Sequence, residues 1–222
     1  QPCSKGFKRN RAPPAQTRSS TMKLYYSPGA CSLSPHIVAE EAGIALDLEK
    51  VDLKTHKTEN GEDFYAVNPK GYVPALKLDN GTVLAEGVAI VQYLADQKPA
   101  SHLAPECGTL ERYKLQEWLT FINSEIHKTF SPLFATPSED VKAEAKAKLA
   151  KRFDYVNKEL TGKDFLLGAN FTAADAYFFV MLTWANHMKV DLAPYSNLHT
   201  FFAKVFARPK VHAAMKAEGL VK

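Results

Sequence analysis

An α/β unit followed by an all-helical unit is the architecture the sequence predicts, and three observations carry it. Residues 22–98 alternate short β-prone runs with amphipathic stretches in the order βαβ, hairpin, helix. A polar stretch with two prolines over residues 99–105 then marks a change of composition. Beyond it, the apolar residues recur at helical spacing. The expected division is a leader over 1–21, an α/β domain over 22–98, a linker over 99–108 and a helical domain over 109–222.

The 222 residues suffice for two modest domains, and 45% hydrophobic with 23% charged residues is the balance of a soluble globular protein. No apolar run approaches the ~20 residues that span a bilayer, which argues against a membrane partner. The formal charge of +4 comes from the leader: Lys5, Lys8, Arg9, Arg11 and Arg18 precede Met22 in a segment without Asp or Glu. The body is close to neutral, so nucleic-acid binding is not expected of it. Three cysteines, Cys3, Cys31 and Cys107, are too few and too far apart for a disulfide framework, and a reducing, cytoplasmic setting fits them better.

Residues 1–21 hold Pro2, Pro13 and Pro14 and one large apolar side chain, Phe7, so they are expected to be disordered. Their basic, acid-free composition is that of a transit peptide, but no amphipathic face is visible. An upstream or appended stretch, with Met22 as the natural start, is the preferred reading.

The elements follow in order. Residues 23–26 read as a strand and 32–42 as a helix closed by Gly43, with Pro35 tolerated in its first turn. Leu46, Leu48, Val51 and Leu53 suggest a second, irregular strand. Residues 52–65 read as loop plus a short helix, and Asn68-Pro69-Lys70-Gly71 is turn chemistry. Runs at 73–78 and 82–85 flank Asp79-Asn80-Gly81, a strong hairpin signal. A helix over 88–97 places Val88, Val91, Leu94 and Ala95 on one face. In the second half, helices are expected over 110–130, 138–160, 171–188, 195–207 and 210–218. The third is apolar all round, as a helix buried within a bundle would be. It opens on Thr172-Ala173-Ala174-Asp175, a capping box with Asp in place of Glu.

Three constellations carry possible chemistry. Cys31 follows the Pro28-Gly29 turn and opens the first helix, where unpaired N–H groups and the helix dipole favour a thiolate. Ser32 and Ser34 offer hydroxyls to cap that helix or donate to the sulfur. Ser34 stands where a second cysteine would complete Cys-x-x-Cys, so no intramolecular redox pair forms there. Val73-Pro74 precedes a strand; a cis bond would leave the Val73 backbone free to grip an extended peptide, whereas a trans bond would make Pro74 an ordinary strand start. Glu86-Gly87 opens a helix whose N–H groups suit a carboxylate while Glu86 suits an amine, as in an amino acid. The same residues read equally well as a plain helix start. His127, beside Ser124 and Glu125, sits toward the end of a long helix, where a surface or capping role is commonest. No His or Cys spacing suggests a metal site, and no glycine-rich phosphate loop suggests a nucleotide cofactor.

These residues together resemble the glutathione transferases, in particular the bacterial beta class. The resemblance rests on Gly29-Ala30-Cys31-Ser32-Leu33, on Asn68-Pro69-Lys70-Gly71-Tyr72-Val73-Pro74-Ala75-Leu76 and on Glu86-Gly87-Val88-Ala89-Ile90. Glu125-Ile126-His127-Lys128, Phe171-Thr172-Ala173-Ala174-Asp175-Ala176-Tyr177 and Ala217-Glu218-Gly219-Leu220 extend it, so that it runs from Met22 to Lys222. It implies a thioredoxin-like N-terminal domain, an all-helical C-terminal domain and a homodimer. Glutathione would be a co-substrate, with no other cofactor. A cis Pro74 would let the Val73 backbone bind the cysteinyl portion, with Ala30 and Cys31 beside the glutathione sulfur and Glu86 and Gly87 at the γ-glutamyl end. Ser124, Glu125 and His127 would approach the same ligand, partly from the neighbouring subunit. Cys31, Ser32 and His127 are the implied catalytic set, and Cys31 can form a mixed disulfide with glutathione. The Thr172-to-Asp175 cap resembles the family's folding motif and is structural.

Two positions depart from the family pattern. His56 stands where many relatives carry a lysine for the glycyl carboxylate, with Lys57 adjacent as a substitute, and Thr120 stands where relatives can carry Asn. The implied activity is conjugation of glutathione to electrophilic, mostly apolar small molecules. The alternatives are glutathione-dependent disulfide exchange or peroxide reduction through Cys31, and a non-enzymatic carrier of hydrophobic ligands. Trp184, Phe130 and Phe134 are read as core residues ahead of a role in lining a second-substrate pocket.

Overall fold

The computed structural model describes residues 22–135 and 138–222. The leader therefore lies outside the described residues. Five strands form one mixed sheet: β1 (Lys23–Tyr26), β2 (Asp47–Asp52), β3 (Lys57–Thr58), β4 (Ala75–Lys77) and β5 (Val83–Ala85). Their spatial order is β3-β2-β1-β4-β5, with β1 parallel to β2 and the other pairs antiparallel. Strand β1 is central because it pairs on both sides, Leu24 opposite Leu48 in β2 and opposite Leu76 in β4. Successive β1 side chains face opposite ways. Leu24 joins the main core, while Tyr25 joins a small cluster with Val51, Phe64, Val73 and Ala75 on the other face.

Helix α1 (Leu33–Ala42) is buried continuously from Leu33 to Ala39, because it packs on α2 (Gly87–Gln97) and on two helices of the second domain. It ends at Gly43, whose φ of 66° is the left-handed conformation a glycine adopts without steric cost. This is the thioredoxin-like arrangement, and the helical domain follows it.

That domain contains α3 (Leu110–Phe121), a π-helical turn (Ile122–His127), α4 (Lys128–Ala135), α5 (Glu139–Glu159), α6 (Ala173–His187), α7 (Ser196–Phe206) and α8 (Pro209–Ala217). Helix α6 is buried almost throughout and lies against α1 across the domain boundary, as does α8. Its N-terminus is fixed by Asp175, which accepts from the Thr172 N–H and hydroxyl and from the Leu166 N–H, each at 2.8 Å. The domains are also tied by Arg112, which donates to Asp96 on α2 and to the Pro105 carbonyl. No helix among the described residues is long and apolar enough to cross a membrane.

Several boundaries differ from expectation. The run at 73–78 pairs only over Ala75–Lys77, since Pro74 has no N–H to give a ladder. Residues 52–65 contain a two-residue strand, β3, as well as a short 3₁₀ turn at Phe64–Ala66, capped by the Asp63 carboxylate. The helix expected over 110–130 runs on to Ala135 and is interrupted by the π turn, where the Lys128 N–H reaches back five residues to the Asn123 carbonyl. The linker holds a 3₁₀ turn at Pro99–Ser101 and is anchored by the Ala173 N–H to the Leu103 carbonyl.

Candidate functional site

Three local devices meet at the seam between the domains. The first is the turn before α1. The Ser27 N–H donates to Ser32 Oγ at 3.1 Å, and that hydroxyl donates back to the Ser27 carbonyl at 3.2 Å. Gly29, at φ 71°, turns the chain so that its N–H meets Glu218 Oε2 at 3.0 Å and its carbonyl meets the Trp184 indole N–H at 2.8 Å. Glu218 is itself buried against His36 Nδ1 at 2.8 Å. The turn that presents Cys31 is thus held by α6 and by the C-terminal segment.

The second device is the Val73–Pro74 bond, which is cis. The Cys31 thiol donates to the Val73 carbonyl at 3.4 Å, bringing sulfur and backbone acceptor together. The third is the start of α2. Glu86 takes a φ of 71°, and its carboxylate projects outward, 63% exposed, to pair with Lys70 at 2.6 Å.

These devices form one wall of a cavity of ≈ 860 Å³. Ala30, Cys31, Val73, Pro74, Glu86, Gly87 and His127 all line it. The helical domain lines the cavity with aromatic and apolar side chains, Phe134 from α4, Tyr177 and Trp184 from α6, and Met215 and Leu220 from the C-terminal end, interleaved with polar ones such as Asn123, Ser131 and Thr183. Trp184 packs edge-on against His127, Phe130 and Phe134, with ring centroids 4.9, 5.6 and 5.0 Å away. Of the three aromatics read as core, only Phe130 is fully buried; Phe134 is 52% exposed, and Trp184 joins it on the wall.

Four named residues lie off the cavity. The Ser32 hydroxyl, expected to serve the sulfur, is buried and committed to Ser27. His56 directs Nδ1 to the Gly71 carbonyl at 3.2 Å and lies against the Tyr65 ring. Ser124 is exposed and bonds the Thr120 carbonyl, while Glu125 pairs with Arg152 at 2.7 Å. The lysines that do line the cavity are Lys70 and Lys128.

The electrostatics run against one expectation: desolvation pushes the half-buried Cys31 thiol up to about 12, outweighing the backbone N–H groups of Cys31 and Ser32 that favour the anion. Burial likewise keeps His127 neutral, its pKa lowered to about 4 with a contribution from Lys128, and holds the Tyr177 phenol protonated. With Cys31 and His127 uncharged, the N–H groups at the start of α1 remain available to a charge that arrives on a ligand.

Sequence reasoning missed Tyr177, Asn123, Lys128 and Glu218. Tyr177 carried a signal: a phenol in an otherwise apolar helix needs a polar partner. Glu218 entered only through the Ala217-Glu218-Gly219-Leu220 resemblance, which gave it no role, since its partners lie 182 and 189 residues away.

Comparison with known proteins places the chain. Residues 29–97 match the family model for the glutathione S-transferase N-terminal domain, and residues 117–209 match that for its C-terminal domain. Glutathione S-transferase GstA of Escherichia coli O157:H7 is 48% identical over 201 residues, which cover 90% of this chain and all of that one. A sphingomonad glutathione S-transferase solved in complex with glutathione is 50% identical at a TM-score of 0.86, covering 90% of this chain and all of its own. The bacterial beta-class enzyme of Sphingomonas chungbukensis is likewise 50% identical, at a TM-score of 0.87 with the same coverage. The chain belongs to the glutathione S-transferase family and, within it, is like the bacterial beta-class members.

Proposed function

We propose that this chain is an enzyme that conjugates reduced glutathione to electrophilic, mostly apolar small molecules. The observation that carries this reading is the two-sided cavity at the domain seam. One wall offers backbone and charge to a short peptide, and the other offers aromatic and aliphatic surface to an apolar partner. Concave sites with apolar walls and a few placed polar groups are the usual form of small-molecule sites. The sphingomonad relative holds glutathione.

In this reading the γ-glutamyl carboxylate of glutathione meets the N–H groups that open α2, and Glu86 accepts from its amine. The Val73 backbone holds the cysteinyl unit, and of the two cavity lysines Lys70 is paired with Glu86, which leaves Lys128 for the glycyl carboxylate. Because His56 is turned to Gly71, it contributes to that carboxylate less than its sequence position suggests. The glutathione sulfur rests beside Cys31 and the first N–H groups of α1, which stabilise its thiolate. Attack on the electrophile forms the S–C bond as the leaving group departs with its electron pair. Holding both reactants together and lowering the barrier to thiolate formation are the two contributions.

The assembly is a homodimer in this account. Exposed Ser124 and half-buried Glu125 lie outside their own chain's cavity, a placement that suits contact with a second subunit. The free thiols of Cys31 and Cys107 suit a reducing cytoplasm. Disulfide exchange through Cys31 is not favoured, since its raised pKa leaves little thiolate to attack.

The test is turnover of an activated aryl halide with glutathione, followed by halide release and by the mass of the thioether. Saturable turnover in both substrates is the expected result. A rate no higher than the uncatalysed background, with no glutathione bound by calorimetry, overturns the reading in favour of a hydrophobic carrier.

A further inference from the structure

The π turn brings two side chains, four residues apart, onto one atom of another helix. His127 Nδ1 lies 2.5 Å from the Tyr177 phenol oxygen, and Asn123 Oδ1 lies 3.0 Å from it. Such turns inside helices recur at functional sites.

The proton inventory at that oxygen is restrictive. A phenol has one hydrogen to give, and an amide oxygen can only accept. The phenol hydrogen therefore points to Asn123, and the hydrogen between phenol and imidazole must come from His127 Nδ1. A neutral imidazole protonated at Nδ1 carries its lone pair at Nε2. Nε2 has no protein partner among the described residues, and His127 lines the cavity. Had the phenol donated to His127 instead, Nε2 would carry the hydrogen and would serve as a donor.

We propose that Tyr177 and Asn123 are positioning residues that fix His127 in its Nδ1–H form, so that Nε2 receives the proton of the glutathione thiol. This rests on the conjugation reading above. In the step, the S–H bond breaks and its electron pair stays on sulfur. The proton forms an N–H bond at Nε2, and a thiolate stands beside an imidazolium until the electrophile consumes the thiolate; the proton then passes to solvent. The groups facing His127 are Cys31 from the turn before α1, Glu86 at the start of α2, Lys128 on α4, and Tyr177 and Trp184 on α6. Glu86 favours the imidazolium and Lys128 opposes it, and burial keeps the ring neutral until the thiol arrives.

The tautomer can be read directly on the full chain, labelled with ¹⁵N-histidine, by long-range proton–nitrogen correlation without any substrate. The expected result for His127 is a protonated Nδ1 and a bare Nε2. Tyr177→Phe removes the acceptor and Asn123→Ala frees the phenol to turn its hydrogen toward Nδ1, so both should move His127 to the Nε2–H form. Asn123→Asp keeps an acceptor and should restore Nδ1–H. In the first two variants kcat for conjugation should fall roughly tenfold while KM for glutathione stays within about twofold, as expected for a proton-transfer role. A wild-type His127 protonated at Nε2 overturns the proposal, even if Tyr177→Phe does not fold. So does an unchanged tautomer and kcat in Asn123→Ala. Absence of wild-type conjugation would instead sink the functional reading and leave the tautomer result standing on its own.

Discussion

The indole N–H of Trp184 donates to the Gly29 carbonyl at 2.8 Å, joining the last turn of α6 to the turn that presents Cys31. The bond crosses the domain seam, and the same indole forms part of the apolar wall. One side chain therefore lines the cavity and holds the turn that presents Cys31.

Trp184→Phe keeps a ring against His127, Phe130 and Phe134 but removes the donor. We expect a loss of about 1 kcal/mol in denaturant unfolding, the usual net worth of one hydrogen bond. The KM for glutathione should rise more than that for the electrophile. If both Michaelis constants stay unchanged, the indole does not position the turn.

Gly29→Ala probes the same turn from the backbone. At φ 71°, with a Leu220 methyl 3.4 Å from the new Cβ, an alanine is strained, and a cost of roughly 1–2 kcal/mol is expected. Chemical denaturation of the purified variant measures it. Stability equal to wild type would mean that the turn relaxes freely.

Cysteine reactivity follows from burial. At pH 7.5 Cys31, with its pKa pushed up to about 12, should be alkylated by iodoacetamide far more slowly than exposed Cys107, as followed by peptide mass spectrometry. Faster labelling of Cys31 would restore the activated thiol that the helix start alone suggested.

Asp175, which is buried, and His127, which is half-buried, give opposed pH dependences. Asp175 is raised by burial from 3.8 to about 6, so its contribution is full below its unfolded value and is lost as pH rises through about 6. His127 is lowered from 6.5 to about 4, so its contribution is present above pH 6.5 and is lost as pH falls through about 4. His127→Gln removes the second effect and should lose up to about 2 kcal/mol less than wild type between pH 7 and pH 4.5. Parallel stability curves would contradict the half-buried, neutral imidazole.

That Cys31, Val73, Pro74, Glu86 and Gly87 lie at turns and helix starts was legible because those signals are local. Pro28-Gly29 ahead of Cys31, Val73-Pro74 and Glu86-Gly87 are turn and helix-start chemistry, readable within a few residues. The helical domain's side of the cavity depended on packing. Trp184 looked like core because α6 is apolar all round, and only the approach of α1 to α6 turns one of its edges toward the cavity. Ser32 was misread because a hydroxyl beside a thiol has two local options, and it took the Ser27 backbone. The Cys31 thiol was misread for a related reason. A helix start argues for ionisation, but desolvation comes from chain segments more than forty residues away, such as Val73, and here it is the larger effect.

The central claim is that the reacting sulfur belongs to glutathione and that Cys31 is its neighbour. Steady-state conjugation by Cys31→Ala tests it most directly. The account predicts conjugation retained within about tenfold of wild type. Conjugation reduced to the uncatalysed rate in a folded Cys31→Ala protein would contradict it.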